Sequence, residues 1–517
     1  MDTAIFPPLP GSQFNAYKAA HLLWRAGFGG TFEQAEKLAK LGLDAAVDQV
    51  VKYSAAKAVP PGIVDAPPQE PGVAGLSETE RQRVRNKFRA DENERTNELK
   101  FWWLNRMLDS APGGEIAPLQ EKMTLFWHGH FATSFADKIE RAYPLWQQNE
   151  MFRRFALAPL PELLKQLIRD PAMLVFLDNA SSNKSHANEN FARELMELHS
   201  MGVGNYTEND VKAAARALTG FSVDRKKWTF QMNDAAHDDS EKTYLGQTGK
   251  WNGDDVVRII CDNPASARFI TRKLLEFFVH ENPEPALAEA AAQLYRAQNL
   301  STQAFLGTLF RSQLFYSAKA TNSIVKSPVM LTIGSLKSMR VRVPEKSVLT
   351  DALRLMGQDL FFPPDVNGWA GGGAWINSNM LLVRYNFSNF LLNGVSPDQF
   401  KVFDKKAAQT QPGGGLKRRE FIEKQRDPKA IDWNPRQQFV QLGLDRKFAT
   451  GADIVDHYIR EFLQRPVPRD FREELLAFAE TDASGGRRSF GVNDSNFDER
   501  VKGLVHLIMS SPDYQLC

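Results

Sequence analysis

The sequence predicts a mainly α-helical protein: a multi-helix, bundle-like core with a small β-ribbon insertion and a repeated helical unit. Three observations predict it. Apolar residues recur at three- and four-residue spacing in residues 14–55, and long stretches of 99–220 and 254–339 read the same way, as helices with one buried face. Alternation of the strand type is confined to a short run, Trp228-Thr-Phe-Gln-Met, flanked by Asn, Asp and Gly. Two distant segments share a pattern of residues, described below. Composition agrees with a folded protein: 43% of the 517 residues are hydrophobic, and 34 Gly with 28 Pro is ordinary background. Sixty-four Lys/Arg against 62 Asp/Glu leave a net charge of +2, which gives no electrostatic case for nucleic acid or an anionic membrane. The two cysteines, Cys261 and Cys517, are too few for a disulfide framework or a thiolate zinc site.

Residues 1–58 read as N-terminal helices, with Leu22, Leu23 and Ala26 on one apolar stripe and Leu38, Leu41, Leu43 and Val47 on the next. Thr31 is placed to cap the second helix. Residues 59–77 form a Pro-rich connector that no helix can cross. Residues 78–403 are the main helical domain, with the ribbon inserted at about 221–253. Its first stretch, 78–100, holds seven positive and six negative charges. Mixed signs at helical spacing mark a solvated helix laced with i,i+4 pairs. Residues 404–436, with nine positive and five negative charges around Gly413-Gly414-Gly415, read as a linker. Residues 437–517 are a C-terminal helical unit. No stretch approaches the roughly 18 apolar residues of a membrane helix, and the start lacks a secretory signal. As written, the chain reads as cytoplasmic; the alternative is a periplasmic or exported protein that travels with a partner.

The repeat is visible within the chain. Glu276-Phe277 is followed by Pro283 as Glu461-Phe462 is followed by Pro468. Each segment then closes on a similar helix end, residues 309–315 and 508–514. Two copies of one helical unit account for this pattern.

The start, Ala20-His21-Leu22-Leu23-Trp24-Arg25-Ala26-Gly27-Phe28-Gly29, resembles the opening of the domain of unknown function 1800 family. The resemblance continues through Glu121-Lys122-Met123 and Phe126-Trp127-His128-Gly129-His130-Phe131. It is strongest across residues 188–198, Asn188-Glu189-Asn190-Phe191-Ala192-Arg193-Glu194-Leu195-Met196-Glu197-Leu198. It extends through 202–207, 215–220, His237-Asp238, Lys326-Ser327-Pro328, Pro363 to Val366, Gly368-Trp369 and 507–517. The resemblance implies a mostly helical bacterial protein without an agreed activity. It also implies a companion from the domain of unknown function 1501 family, whose members look like exported sulfatase- or phosphatase-like proteins. His199 departs from the family, where an aromatic residue is usual.

Four constellations could carry chemistry. In His128-Gly129-His130, a helix running on from Pro118 would point the two rings about 200° apart, whereas a helix ending at Gly129 would let an extended His-x-His chelate a metal. Glu121 lies on the same stripe as His128; capping and core packing are the plain alternative. The helix after Asn188 puts Asn190, Arg193, Glu194 and Glu197 opposite Phe191 and Leu195. They form either ordinary surface ion pairs or a catalytic stripe in which Arg193 holds one carboxylate ionised. His237-Asp238 on the ribbon would suit zinc, manganese or iron, or form an exposed turn. The loop of Asp365, Trp369, Trp375 and Asn377, with Arg384 beyond it, could hold a sugar ring by stacking and hydrogen bonds; Trp anchoring a Gly-rich loop is the alternative.

Two functions follow. One is a metal- or carboxylate-assisted hydrolase of a polar polymer such as a glycan. Its divalent metal would sit on His128, His130, His237 and Asp238, its catalysis would use Glu194, Glu197 and Arg193, and its substrate would lie on Asp365, Trp369, Trp375, Asn377 and Arg384. The other is a non-catalytic helical scaffold that binds a sulfatase-like partner.

Overall fold

A computed structural model describes residues 5–53, 58–59, 61–342, 346–394, 431, 433–448, 450–481 and 486–517. The linker expected over 404–436 falls almost wholly outside them. Among the described residues the protein is mainly helical, 59% helix with 21 α-helices, and has two small two-stranded antiparallel sheets. It divides into two compact units, each assembled from three stretches of chain: 1–9, 47–320 and 359–370 in the first, 10–46, 321–358 and 371–517 in the second.

The first unit is built on the helices Glu78–Asp109, Pro118–His130 and Ala142–Arg154, which pack on one another. The first of these opens on a capping box between Ser77 and Glu80. Its charged N-terminal half stays largely solvated, and its C-terminal half turns Leu99, Trp103, Leu104 and Met107 inward. Pro118 starts the central helix, where its missing N–H is no loss. Residues Pro118 to His128 of that helix are all buried, including Gln120, Glu121, Lys122, Thr124 and His128. A helix buried all round has no wet face for polar side chains, so they must bond within the protein. The ribbon forms two hairpins. Strand β1 (Phe221–Asp224) pairs with β2 (Thr229–Met232), and β3 (Lys242–Tyr244) with β4 (Gln247–Gly249).

In the second unit, the helix Ala16–Arg25 carries Trp24, whose ring lies over Gly334 of the helix Pro328–Met339; a Cβ there would collide with the indole. The indole N–H donates to Gln464 Oε1 at 2.9 Å, and Gln464 Nε2 donates to the Gly30 carbonyl at 2.6 Å. The helices Ser378–Asn393, Gly451–Phe462 and Phe497–Ser510 complete this core. Each member of the expected repeat is a packed helix pair, Pro264–Phe278 with Pro285–Ala297 and Gly451–Phe462 with Arg469–Ala479. That the pairs are copies of one unit stays a proposal from the sequence.

Candidate functional site

The central helix of the first unit does run on through Gly129 to His130, so the extended His-x-His geometry does not form and the two rings diverge. Glu121, with 0% exposure, accepts from Arg153 Nε at 2.9 Å and Nη2 at 3.0 Å, from Arg106 Nε at 3.0 Å and from Trp103 Nε1 at 2.9 Å. Burial pulls its carboxyl upward, but the two guanidiniums outweigh it and hold it below the usual range. Arg153 also donates to Glu150 at 3.2 Å and to Asn149 Oδ1 at 2.6 Å. With its oxygen so engaged, Asn149 donates through Nδ2 to His128 Nε2 at 3.0 Å. The network therefore assigns His128 the tautomer whose Nε2 lone pair is already used. Burial, and then Arg153, lowers His128 to about 3, so it stays neutral. Trp103, Phe152 and Phe361 surround the ring.

His130 donates from Nε2 to the His199 carbonyl at 2.9 Å and stacks on Phe126. Burial lowers His130 to about 3 and His199 to about 4. Among the described residues, neither ring shares a partner with His128.

His237 and Asp238 stand together where the ribbon leaves its short 3-10 turn. His237 Nδ1 donates to the Thr219 carbonyl at 2.9 Å, leaving Nε2 as the lone-pair nitrogen. Asp238 accepts from Arg216 Nε at 2.7 Å, and its backbone N–H donates to Thr219 Oγ1 at 2.8 Å. Burial raises its carboxyl, but hydrogen bonds from Arg216 and Ser240 bring it well below the carboxylate range. The buried Lys242 closes the loop by donating to the carbonyls of Asp238 at 2.5 Å and Ser240 at 2.8 Å. Among the described residues, no group of three or more His, Cys, Asp or Glu could hold a metal ion. The metal set of His128, His130, His237 and Asp238 is thus not brought together as a centre.

On the helix Glu189–Glu197, Phe191, Ala192, Leu195 and Met196 are buried, as the spacing required. Arg193 forks onto Glu208, at 2.7 and 2.8 Å. Glu197 accepts from Tyr206 Oη at 2.5 Å. Half-buried Glu194 has its carboxyl raised, first by burial and then by Glu197. These three expected catalytic residues share one helix face, with Glu194 the only one for which no hydrogen bond from its side chain is described.

The expected substrate residues divide between the units. In the first, Asp365 receives the Asn367 N–H at 2.7 Å in an exposed turn, and half-buried Trp369 packs against Gly129. In the second, Trp375 and Met380 border Gly357, and Asn377 caps the helix Ser378–Asn393. Arg384 is 1% exposed and donates to the Lys326 carbonyl at 2.8 Å and to Gln515 Oε1 at 3.2 Å, so it faces core and not solvent.

Sequence reasoning did not select Trp103, Arg106, Asn149 or Arg153, the partners that define the central network. The polar residues Gln148, Asn149 and Arg153 lie among apolar ones on the helix Ala142–Arg154, but periodicity alone does not say which polar residues are buried. Nor did it select Asp170, which caps the helix Pro171–Phe176 and accepts from Gln148 at 2.7 Å. Burial raises the Asp170 carboxyl to about 7.

Fold and network together define a mainly helical protein with a polar network, Glu121, Arg153, Asn149 and His128, bonded within its own interior. The chain belongs to the DUF1800 family, proteins of unknown function; the family model matches residues 21–516. No curated protein and no solved structure matches the chain.

Proposed function

We propose that the protein is a non-catalytic helical scaffold that binds a sulfatase-like partner, the second of the two functions read from the sequence. The observation that supports this is the engagement of the charged motif residues with one another. Glu121 is held by Arg153 and Arg106, Asp238 by Arg216, and Arg193 by Glu208. Such groups order a fold more readily than they move protons. Two exposed apolar side chains support the reading as well: in the second unit the Phe478 ring lies over Gly503, and Leu507 follows one turn later. Phe478 and Leu507 are 43% and 41% exposed.

The test is titration calorimetry of the full chain against a purified sulfatase-like protein of the 1501 family. Saturable binding, weakened at least tenfold by Phe478→Asp with Leu507→Asp, is expected. Failure of the folded wild type to bind overturns the reading. Elemental analysis beside a His128→Ala, His237→Ala double variant is expected to show the same sub-stoichiometric metal in both; a stoichiometric metal lost in the variant would restore the metal hydrolase.

A carboxylate hydrolase stands as a second reading, favoured by the raised Glu194 carboxyl beside Glu197. Turnover of a glycan panel that disappears in Glu194→Gln would support it.

A further inference from the structure

The first hairpin of the ribbon ends in an open strand edge. On its inner side, β1 packs against the helix Pro171–Phe176 and the 3-10 turn after it, and Gly220, just before β1, donates to the Ser182 carbonyl at 3.0 Å. On the outer side, β2 leaves Thr229, Gln231 and Met232 exposed. The register sets Val223 opposite Phe230 and Phe221 opposite Met232. Beyond the pair, the Asn233 N–H donates to the Gly220 carbonyl at 2.8 Å. Antiparallel bonding alternates along a strand, so Gln231 and Thr229 also turn their backbone groups toward β1, while Phe230 and Met232 turn theirs outward. Among the described residues, no backbone bond outside the hairpin meets either of them. The edge is also held in place. Phe230 stands T-shaped on Phe221 at 5.1 Å, with the Arg169 guanidinium 5.8 Å from its ring, and Arg169 is itself forked onto Asp254. Exposed edges are usually blunted by a charge, a proline or a bulge; Thr229-Phe230-Gln231-Met232 carries no charge and no proline, and its register is unbroken.

We propose that β2 pairs antiparallel with β2 of a second copy of this chain, joining the two hairpins into one four-stranded sheet about a two-fold axis. The axis stands perpendicular to the sheet and passes by Gln231. Phe230 of each copy then lies opposite Met232 of the other, and the outward N–H and C=O groups of both residues are satisfied reciprocally. A second copy fits this edge because its two ends differ in charge. The turn Arg225-Lys226-Lys227 leads into β2, and Asp234 follows it. Asp224 Oδ1 accepts the backbone N–H groups of Lys226 at 2.9 Å and Lys227 at 3.2 Å, which fixes that turn. Lys226, Lys227 and Asp234 are exposed, and no ion pair is described for any of them. Antiparallel pairing brings the basic end of each copy to the acidic end of the other, so the charges match twice. A parallel pairing would set like against like. The association is weak, since its bonds are few and its ion pairs lie at the surface. This inference is independent of the scaffold reading.

The experiment is sedimentation equilibrium of the full chain over a concentration series. Expected is a reversible dimer whose share grows with concentration. Met232→Pro removes an outward N–H and none that the hairpin uses, and should weaken the dimer at least tenfold. Lys226→Glu with Lys227→Glu should weaken it severalfold, and adding Asp234→Lys to that pair should restore it. These exposed substitutions hold the test if Met232→Pro fails to fold. A folded wild type that stays monomeric at its highest soluble concentration overturns the proposal. So does a dimer that all of these variants leave unchanged, because its interface then lies elsewhere.

Discussion

Glu121 lies where no water reaches, yet it is ionised, because Arg153 and Arg106 return in Coulomb energy and hydrogen bonds what desolvation removes. Removing one partner from such a set leaves a charge stranded. Arg153→Met should therefore destabilise the protein by about 3–5 kcal/mol, read as a lower midpoint in urea with an unchanged slope. Arg193→Met, which breaks a largely exposed pair, should lose under about 1 kcal/mol. Asp170 makes the opposite case, a buried acid for which no cation partner is described. Its folded-state value is raised from 3.8 to about 7. Between those values the folded state holds the proton that the unfolded state has released, so stability from this group falls as pH rises from about 4 to about 7. Asp170→Asn keeps the cap and the Gln148 contact and should flatten that slope, as checked by urea midpoints across the window. Neither Arg153 nor Asp170 is conspicuous in the sequence: charged residues in amphipathic helices usually face water, and only packing against two other helices tells these apart.

At the scale of the element, the helix Pro118–His130 shows how local sequence misleads. Gly129 is a reasonable helix stop, and a stop there was the condition for two histidines to chelate. The helix instead continues to His130, with Gly368, at φ +80°, lying against the Gly129 carbonyl and Trp369 packed against the same residue. A side chain at Gly368 would strike that carbonyl. Gly368→Ala should cost about 2 kcal/mol or more in thermal or urea denaturation, combining a strained φ with a collision against backbone. Gly204, with φ +85° and open space within 4 Å of where a Cβ would stand, isolates the first effect; Gly204→Ala should cost about 1 kcal/mol. The ribbon, by contrast, was readable: alternation between clusters of Asn, Asp and Gly marked it, and only the second hairpin, with its three-residue strands, was too short to leave a period.

At the scale of the whole molecule, each unit has, among the described residues, a buried group brought to about 7, Asp170 in the first and Lys326 in the second, with opposite sign. Asp170 weakens the first unit as pH rises toward about 7. Lys326 in the second is lowered from 10.5 to about 7, so the unfolded state holds the extra proton between those values and stability rises with pH across them. Scanning calorimetry from pH 5 to 9 should show one transition moving down over the lower half of the range and another moving up over the upper half. Asp170→Asn should suppress the first movement and Lys326→Met the second. Two transitions that move together would count against this assignment.

The sequence by itself determined the helical class, the ribbon's place, the buried faces of helices such as Glu189–Glu197, and the family, because each is written in local periodicity or in contiguous motifs. Tertiary structure alone decided the fate of the chemical groups. Whether His128 is a ligand or a neutral acceptor for Asn149, and whether Arg384 meets solvent or the Lys326 carbonyl, depends on residues tens to hundreds of positions away. Hydrogen bonds and desolvation act through space, and a sequence period reports only which face of an element is apolar, not which polar groups a neighbouring element will bury.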